Sequence, residues 1–115
     1  IACLNETQRL NIKDNAAARG AEMMAGLEAL MAKHEVIGDV RGGEGLMNAI
    51  ELVGDRESKT PLDPATIKRI HDAIYADGVM VRVSGPNLIL SPPLVLTAED
   101  VAKILSAIDT GLSAA

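Results

Sequence analysis

At 115 residues the chain is one domain's worth of polypeptide, long enough to bury roughly two thirds of its unfolded surface if compact. Its 48% apolar share rests on aliphatic residues and Met, with one tyrosine and neither Phe nor Trp, so the aromatic platforms of single-stranded nucleic-acid binders are missing, and a net charge of −5 further disfavours a polyanion partner. Cys3 is the only cysteine, which excludes an internal disulfide, and no apolar run approaches the roughly 18 residues of a membrane span; a soluble, cytoplasmic protein with neither nucleic-acid nor membrane partner is expected.

The chain opens Ile1-Ala2-Cys3-Leu4, with neither Met nor a capping residue, as if from within a helix. It is therefore expected to be the C-terminal piece of something longer. From Asn11, a candidate N-cap, Ile12, Ala16, Gly20, Met23, Met24, Leu27, Leu30 and Met31 recur at spacings of three and four, which predicts a long amphipathic helix ending near Lys33-His34. Methionines at that spacing fill cores more often than they line binding surfaces. His34 is read as a terminal residue and not a ligand.

Val36–Arg41 and Leu46–Val53 read as strands. The intervening Gly42-Gly43-Glu44-Gly45 invites a phosphate-loop reading, which fails because such loops lead into a helix N-terminus and end in Gly-Lys-Ser/Thr. A bulged turn or a close backbone approach is the better account. Gly54–Leu62 is polar and predicts an exposed loop. Asp63-Pro64 then starts a helix buried along Ile67, Ile70, Ile74 and Tyr75 and stopped by Gly78. His71 beside that stripe lacks companions for a metal site.

Val79–Val83 and Leu88–Leu90 flank Ser84-Gly85-Pro86-Asn87, a cluster suited to a turn, and predict a hairpin. Alternation puts Val79, Val81 and Val83 on one face and Met80 and Arg82 on the other. An arginine in an apolar hairpin must reach water, pair with a protein carboxylate, or receive an anionic ligand. On the residues alone the first two are the simpler. Ser91-Pro92-Pro93 ends the second strand, and Thr97 caps a last helix with Val101, Ile104, Leu105, Ile108 and Leu112 on one face. Helices packed on a mostly antiparallel sheet make a small two-layer α+β domain. The chain carries no self-sufficient catalytic constellation and no metal site.

Ile37-Gly38-Asp39-Val40-Arg41-Gly42, Gly45-Leu46-Met47-Asn48-Ala49-Ile50-Glu51-Leu52-Val53, Gly78-Val79-Met80-Val81-Arg82 and Asn87-Leu88-Ile89-Leu90-Ser91-Pro92-Pro93-Leu94, in that order, resemble the C-terminal part of class III pyridoxal-phosphate-dependent aminotransferases of the ω-amino acid:pyruvate and 4-aminobutyrate types. Thr97-Ala98-Glu99-Asp100-Val101 is similar to the start of the family's last helix. The turn Gly42–Gly45 departs from the family by one extra residue.

The resemblance implies that residues 1–115 are the small C-terminal domain of a longer chain, whose missing large domain holds pyridoxal 5'-phosphate and its lysine. It implies amino- and keto-acid substrates such as pyruvate and a homodimer or higher homo-oligomer. None of Lys13, Lys33, Lys59, Lys68 and Lys103 falls in the context of the cofactor lysine, so the piece alone is expected to be inactive. Arg82 matches the arginine that binds the substrate carboxylate and swings aside for simple amines. A non-catalytic module that binds a carboxylate ligand or protein partner is the alternative, and a purely structural dimerisation domain a third.

Overall fold

In the computed structural model, which describes Ile1–Ala115, the elements run α1 (Ala2–Arg9), α2 (Ile12–Lys33), β1 (Ile37–Arg41), β2 (Asn48–Asp55), β3 (Thr60–Pro61), α3 (Pro64–Ala76), β4 (Arg82–Ser84), β5 (Asn87–Leu90) and α4 (Ala98–Leu112). The strands form one antiparallel sheet in the order β1-β2-β5-β4, with β3 added along β2. Period-two alternation sorts its side chains. Ile50, Leu52, Leu88 and Leu90 point at the helices and are buried with Met23 and Leu27 of α2, Ile70 and Ile74 of α3, and Val101 and Ile108 of α4. Asp39, Arg41, Ala49, Glu51, Ile89, Asn87, Arg82 and Ser84 share the other face, and none of them is buried. The expected two-layer α+β arrangement is what the chain forms.

Local chemistry sets the helix starts. The Asp63 carboxylate accepts from the Thr66 N–H at 2.9 Å, while Pro64 sits where a helix has no use for an N–H. At α4 the cap is reciprocal: Asp100 N–H donates to Thr97 Oγ1 at 3.2 Å and Thr97 N–H to Asp100 Oδ2 at 3.0 Å.

Several expectations need correction. Asn11 stands at the head of α2 but its side chain caps nothing; α1 runs into it, and Asn11 turns the corner in a left-handed conformation at φ 51° that Asn tolerates. Residues 54–61 are exposed, but Leu62 packs against the core and the segment closes a hairpin instead of a free loop. Asp55 Oδ2 takes both the N–H and the hydroxyl of Ser58, at 2.8 and 2.7 Å, and Thr60–Pro61 returns along β2 as an edge strand, where proline's missing donor is harmless. Tyr75 is 62% exposed and lies outside the Ile67, Ile70, Ile74 stripe. β4 is shorter than predicted. Val79 N–H is still spent on the Ile74 carbonyl at 3.3 Å, and opposite the missing residues the partner runs into Ser91-Pro92-Pro93, which ends the ladder. Val83, on the same face as buried Val81, is 41% exposed at the edge of the sheet.

The glycine-rich turn is a close backbone approach. A Cβ on Gly20 of α2 would lie 2.1 Å from the Gly45 carbonyl oxygen, so helix and turn touch main chain to main chain. Buried Asn48 begins β2 beneath the same turn, its Oδ1 where a Cβ on Gly42 would stand.

Candidate functional site

The end of α3 aims the hairpin. Gly78 takes φ 92° after the last helical turn, Val79-Met80-Val81 follows, and burial of Val81 turns Met80 and Arg82 outward. Gly85, at φ 59°, leads the two-residue connection from β4 to β5, the position at which primed hairpin turns take glycine. The register that follows sets Arg82 opposite Ile89.

Arg82 lines a cleft of about 690 Å³ between this hairpin and the start of α4. Met80, Ile89 and Leu96 supply apolar wall, and Lys103 and Asp100 the remaining charge. The wall is braced from α2, where Asn15 Nδ2 donates to the Leu94 and Leu96 carbonyls at 2.8 and 2.9 Å. Asp100 is already committed to the Thr97 cap. The Thr97 N–H and hydroxyl hold its carboxyl below the usual range. Arg82 itself is exposed and makes neither a side-chain hydrogen bond nor an ion pair. Of the choices open to a strand arginine, pairing with a protein carboxylate is the one this chain does not use.

The carboxylates on Arg82's own sheet face belong to another arginine. Arg41 Nη1 donates to Glu51 at 2.9 Å and to Asp39 at 3.2 Å, and its Nη2 to Asn87 Oδ1 at 3.0 Å. The hydrogen bond to Glu51 leads in raising the Arg41 pKa. Sequence reasoning missed this network, and it missed Ile89 as the residue facing Arg82. The second was within reach: a two-residue turn at Gly85-Pro86 fixes that pairing.

The histidines do other work. His34 Nε2 lies 2.6 Å from Asp109 Oδ1, and so ties the end of α2 to α4. His71 stacks on Tyr75 with ring centroids 6.5 Å apart and lies 3.3 Å from Asp72. Cys3 is exposed on α1. No group of three or more His, Cys, Asp or Glu side chains is placed to hold a metal ion, and no helix is long and apolar enough to cross a membrane.

The sequence profile of the family described as aminotransferase class-III matches residues 1–112. The chain belongs to the class-III aminotransferase family. It is 41% identical over 107 residues to a hypotaurine/taurine–pyruvate aminotransferase of Paracoccus denitrificans, covering 87% of this chain and 23% of that relative. It is 38% identical over 116 residues to the mitochondrial alanine–glyoxylate aminotransferase 2 homolog 2 of Arabidopsis thaliana, covering 98% and 24%. The fold superposes on a PLP-bound amine transaminase from an uncultivated Pseudomonas species with a TM-score of 0.90 at 38% identity, over 96% of this chain and 25% of that one. The chain thus spans about a quarter of the length of these aminotransferases.

Class-III membership implies pyridoxal phosphate, but the residues present do not fit it. The glycine turn leads into β2 instead of a helix and is filled by its contact with Gly20. Lys103, the lysine at the cleft, lies against Gly78, with its ammonium 3.8 Å from where a Cβ there would be, and adds to the field that holds Asp100 ionised.

Proposed function

We propose that residues 1–115 form the C-terminal small domain of a class-III aminotransferase, and that Arg82 receives the acid group of its amino- or keto-acid substrate. The observation that carries this is a guanidinium on the rim of a half-apolar cleft, with every nearby carboxylate bound to something else. Its planar fork of donors suits two acid oxygens at once, and binding there orients the reacting carbon. Met80, Ile89 and Leu96 give the cleft an apolar wall beside the guanidinium, and a charge pair there strengthens to the extent that the rest of the parent chain covers it from water.

The cofactor, held by the rest of the parent chain, supplies the electron sink for amino transfer. The reaction passes an amino group between an amine or amino acid and a keto acid such as pyruvate. Hypotaurine and taurine, for which the Paracoccus relative is named, extend the acid group to sulfinate and sulfonate, whose oxygens the same fork can meet. A homodimer or larger homo-oligomer in the cytoplasm completes the proposal, supported by the family resemblance and by a single cysteine that suits a reducing compartment. The aminotransferase relatives give no support to the non-catalytic module.

The test is amino transfer by the full-length protein across a panel of amines and keto acids, including alanine, taurine and pyruvate. Transfer to pyruvate from at least one acid-bearing donor is expected; activity restricted to donors and acceptors without an acid group would overturn the role of Arg82.

A further inference from the structure

Antiparallel register places Arg41, Ala49, Ile89 and Arg82 in one row across the uncovered face of the sheet, and Asp39, Glu51, Asn87 and Ser84 in the next. The two acids and the amide in the second row are acceptors that a long side chain at position 82 could take. Asn87 is diagonal to Arg82, about 7–8 Å away by sheet geometry. Glu51 is one strand further, about 12 Å between Cα atoms from strand spacing and rise, a gap that an extended arginine and an extended glutamate close together. Both are already engaged by Arg41. Arg41 binds Asp39, Glu51 and the Asn87 oxygen, and the Asn87 amide donates to the Ser84 carbonyl at 3.2 Å. The residue directly opposite Arg82 is Ile89, which offers no acceptor.

We infer that Arg41 is a positioning residue for substrate recognition: by occupying Glu51, Asp39 and Asn87, and with Ile89 silent beneath it, it leaves Arg82 free for an acid brought by the substrate. This rests on the proposed role of Arg82. Removing Arg41 releases acceptors to Arg82, and the fraction of protein with a free guanidinium falls, which lowers apparent affinity for acids in proportion. Substrates without an acid group do not sense the change.

The experiment uses the full-length holoenzyme with two amino donors, alanine and benzylamine, followed in the first half-reaction, and propionate binding measured by calorimetry. In Arg41→Ala, alanine use and propionate affinity are expected to fall about fivefold, the competition of one partly exposed ion pair, with benzylamine unchanged. Adding Glu51→Gln to that variant should restore most of the loss. Should Arg41→Ala fail to fold, Arg41→Gln keeps much of the length and an amide donor but gives up the charge that holds Glu51 and Asp39, and should cost alanine about threefold and benzylamine little. An unchanged alanine-to-benzylamine ratio in the folded variants, or no recovery on adding Glu51→Gln, overturns the inference. Arg82→Ala in parallel separates the two levels: if it is selective against acids while Arg41→Ala is not, only the inference fails; if it is not selective, the role of Arg82 fails first.

Discussion

Arg56 donates to the main-chain carbonyl of His34 at 2.9 Å, and thereby closes the C-terminal end of α2 with a side chain that comes from the far end of β2. The same guanidinium reaches the Ile37 carbonyl at 3.0 Å and the Met31 carbonyl. The last carbonyls of a helix have no partner within it, and here one residue serves three acceptors around that end. Arg56→Ala is expected to lower the local stability of the last turn of α2 by about 1–3 kcal/mol, read as faster amide hydrogen exchange there in the full-length protein. Arg56→Lys should recover only part, because an ammonium lacks the fixed fork.

Asp109 provides the second clamp on that helix end. Lys33 Nζ donates to its two oxygens at 2.9 and 2.8 Å, and His34 Nε2 lies 2.6 Å from one of them. Lys33 first and His34 second hold the carboxyl below its usual range. A carboxylate depressed in the folded state adds stability that is present above its unfolded pKa, about 3.9, and is lost as pH falls through the lower folded value. The stability gap between the natural protein and Asp109→Asn should therefore be present at about pH 5 and close as the pH falls below about 4. It should stay under about 1 kcal/mol, since the pair is partly solvated. A gap that persists below about pH 3 would contradict the assignment.

Gly20→Ala sets two effects of opposite sign against each other. Alanine favours a helix interior by about 1 kcal/mol over glycine. Its Cβ, however, would stand 2.1 Å from the Gly45 oxygen and 2.6 Å from its carbonyl carbon, main-chain atoms that cannot rotate away. Overpacking of that kind costs about 1–3 kcal/mol, so the net change in thermal midpoint is expected to be downward. The turn that covers Asn48 should loosen with it, visible as faster exchange at Leu46 and Met47.

Sequence periodicity was sufficient for α2, α3 and α4 and for the two-layer arrangement, because burial of Leu27, Ile70, Ile74, Ile108 and the alternating β2 residues is a local pattern with a fixed repeat. The caps at Asp63 and Thr97 were equally legible, being contacts over three residues. What escaped is what depends on distant chain. The left-handed corner at Asn11 arises from α1, the short β4 from prolines on its partner strand, and the role of His34 from a carboxylate 75 residues away. Arg82 was singled out as an arginine in an apolar hairpin, but that its neighbours' carboxylates were spoken for could not be read before Arg41 was set across the sheet from it.

The most direct measurement is the alanine-to-benzylamine ratio of kcat/KM in the half-reaction of full-length Arg82→Ala. We expect alanine to lose about 2–4 kcal/mol of transition-state binding while benzylamine stays near its natural value. Equal losses for both donors would mean that Arg82 supports the fold and that the acid group is bound elsewhere.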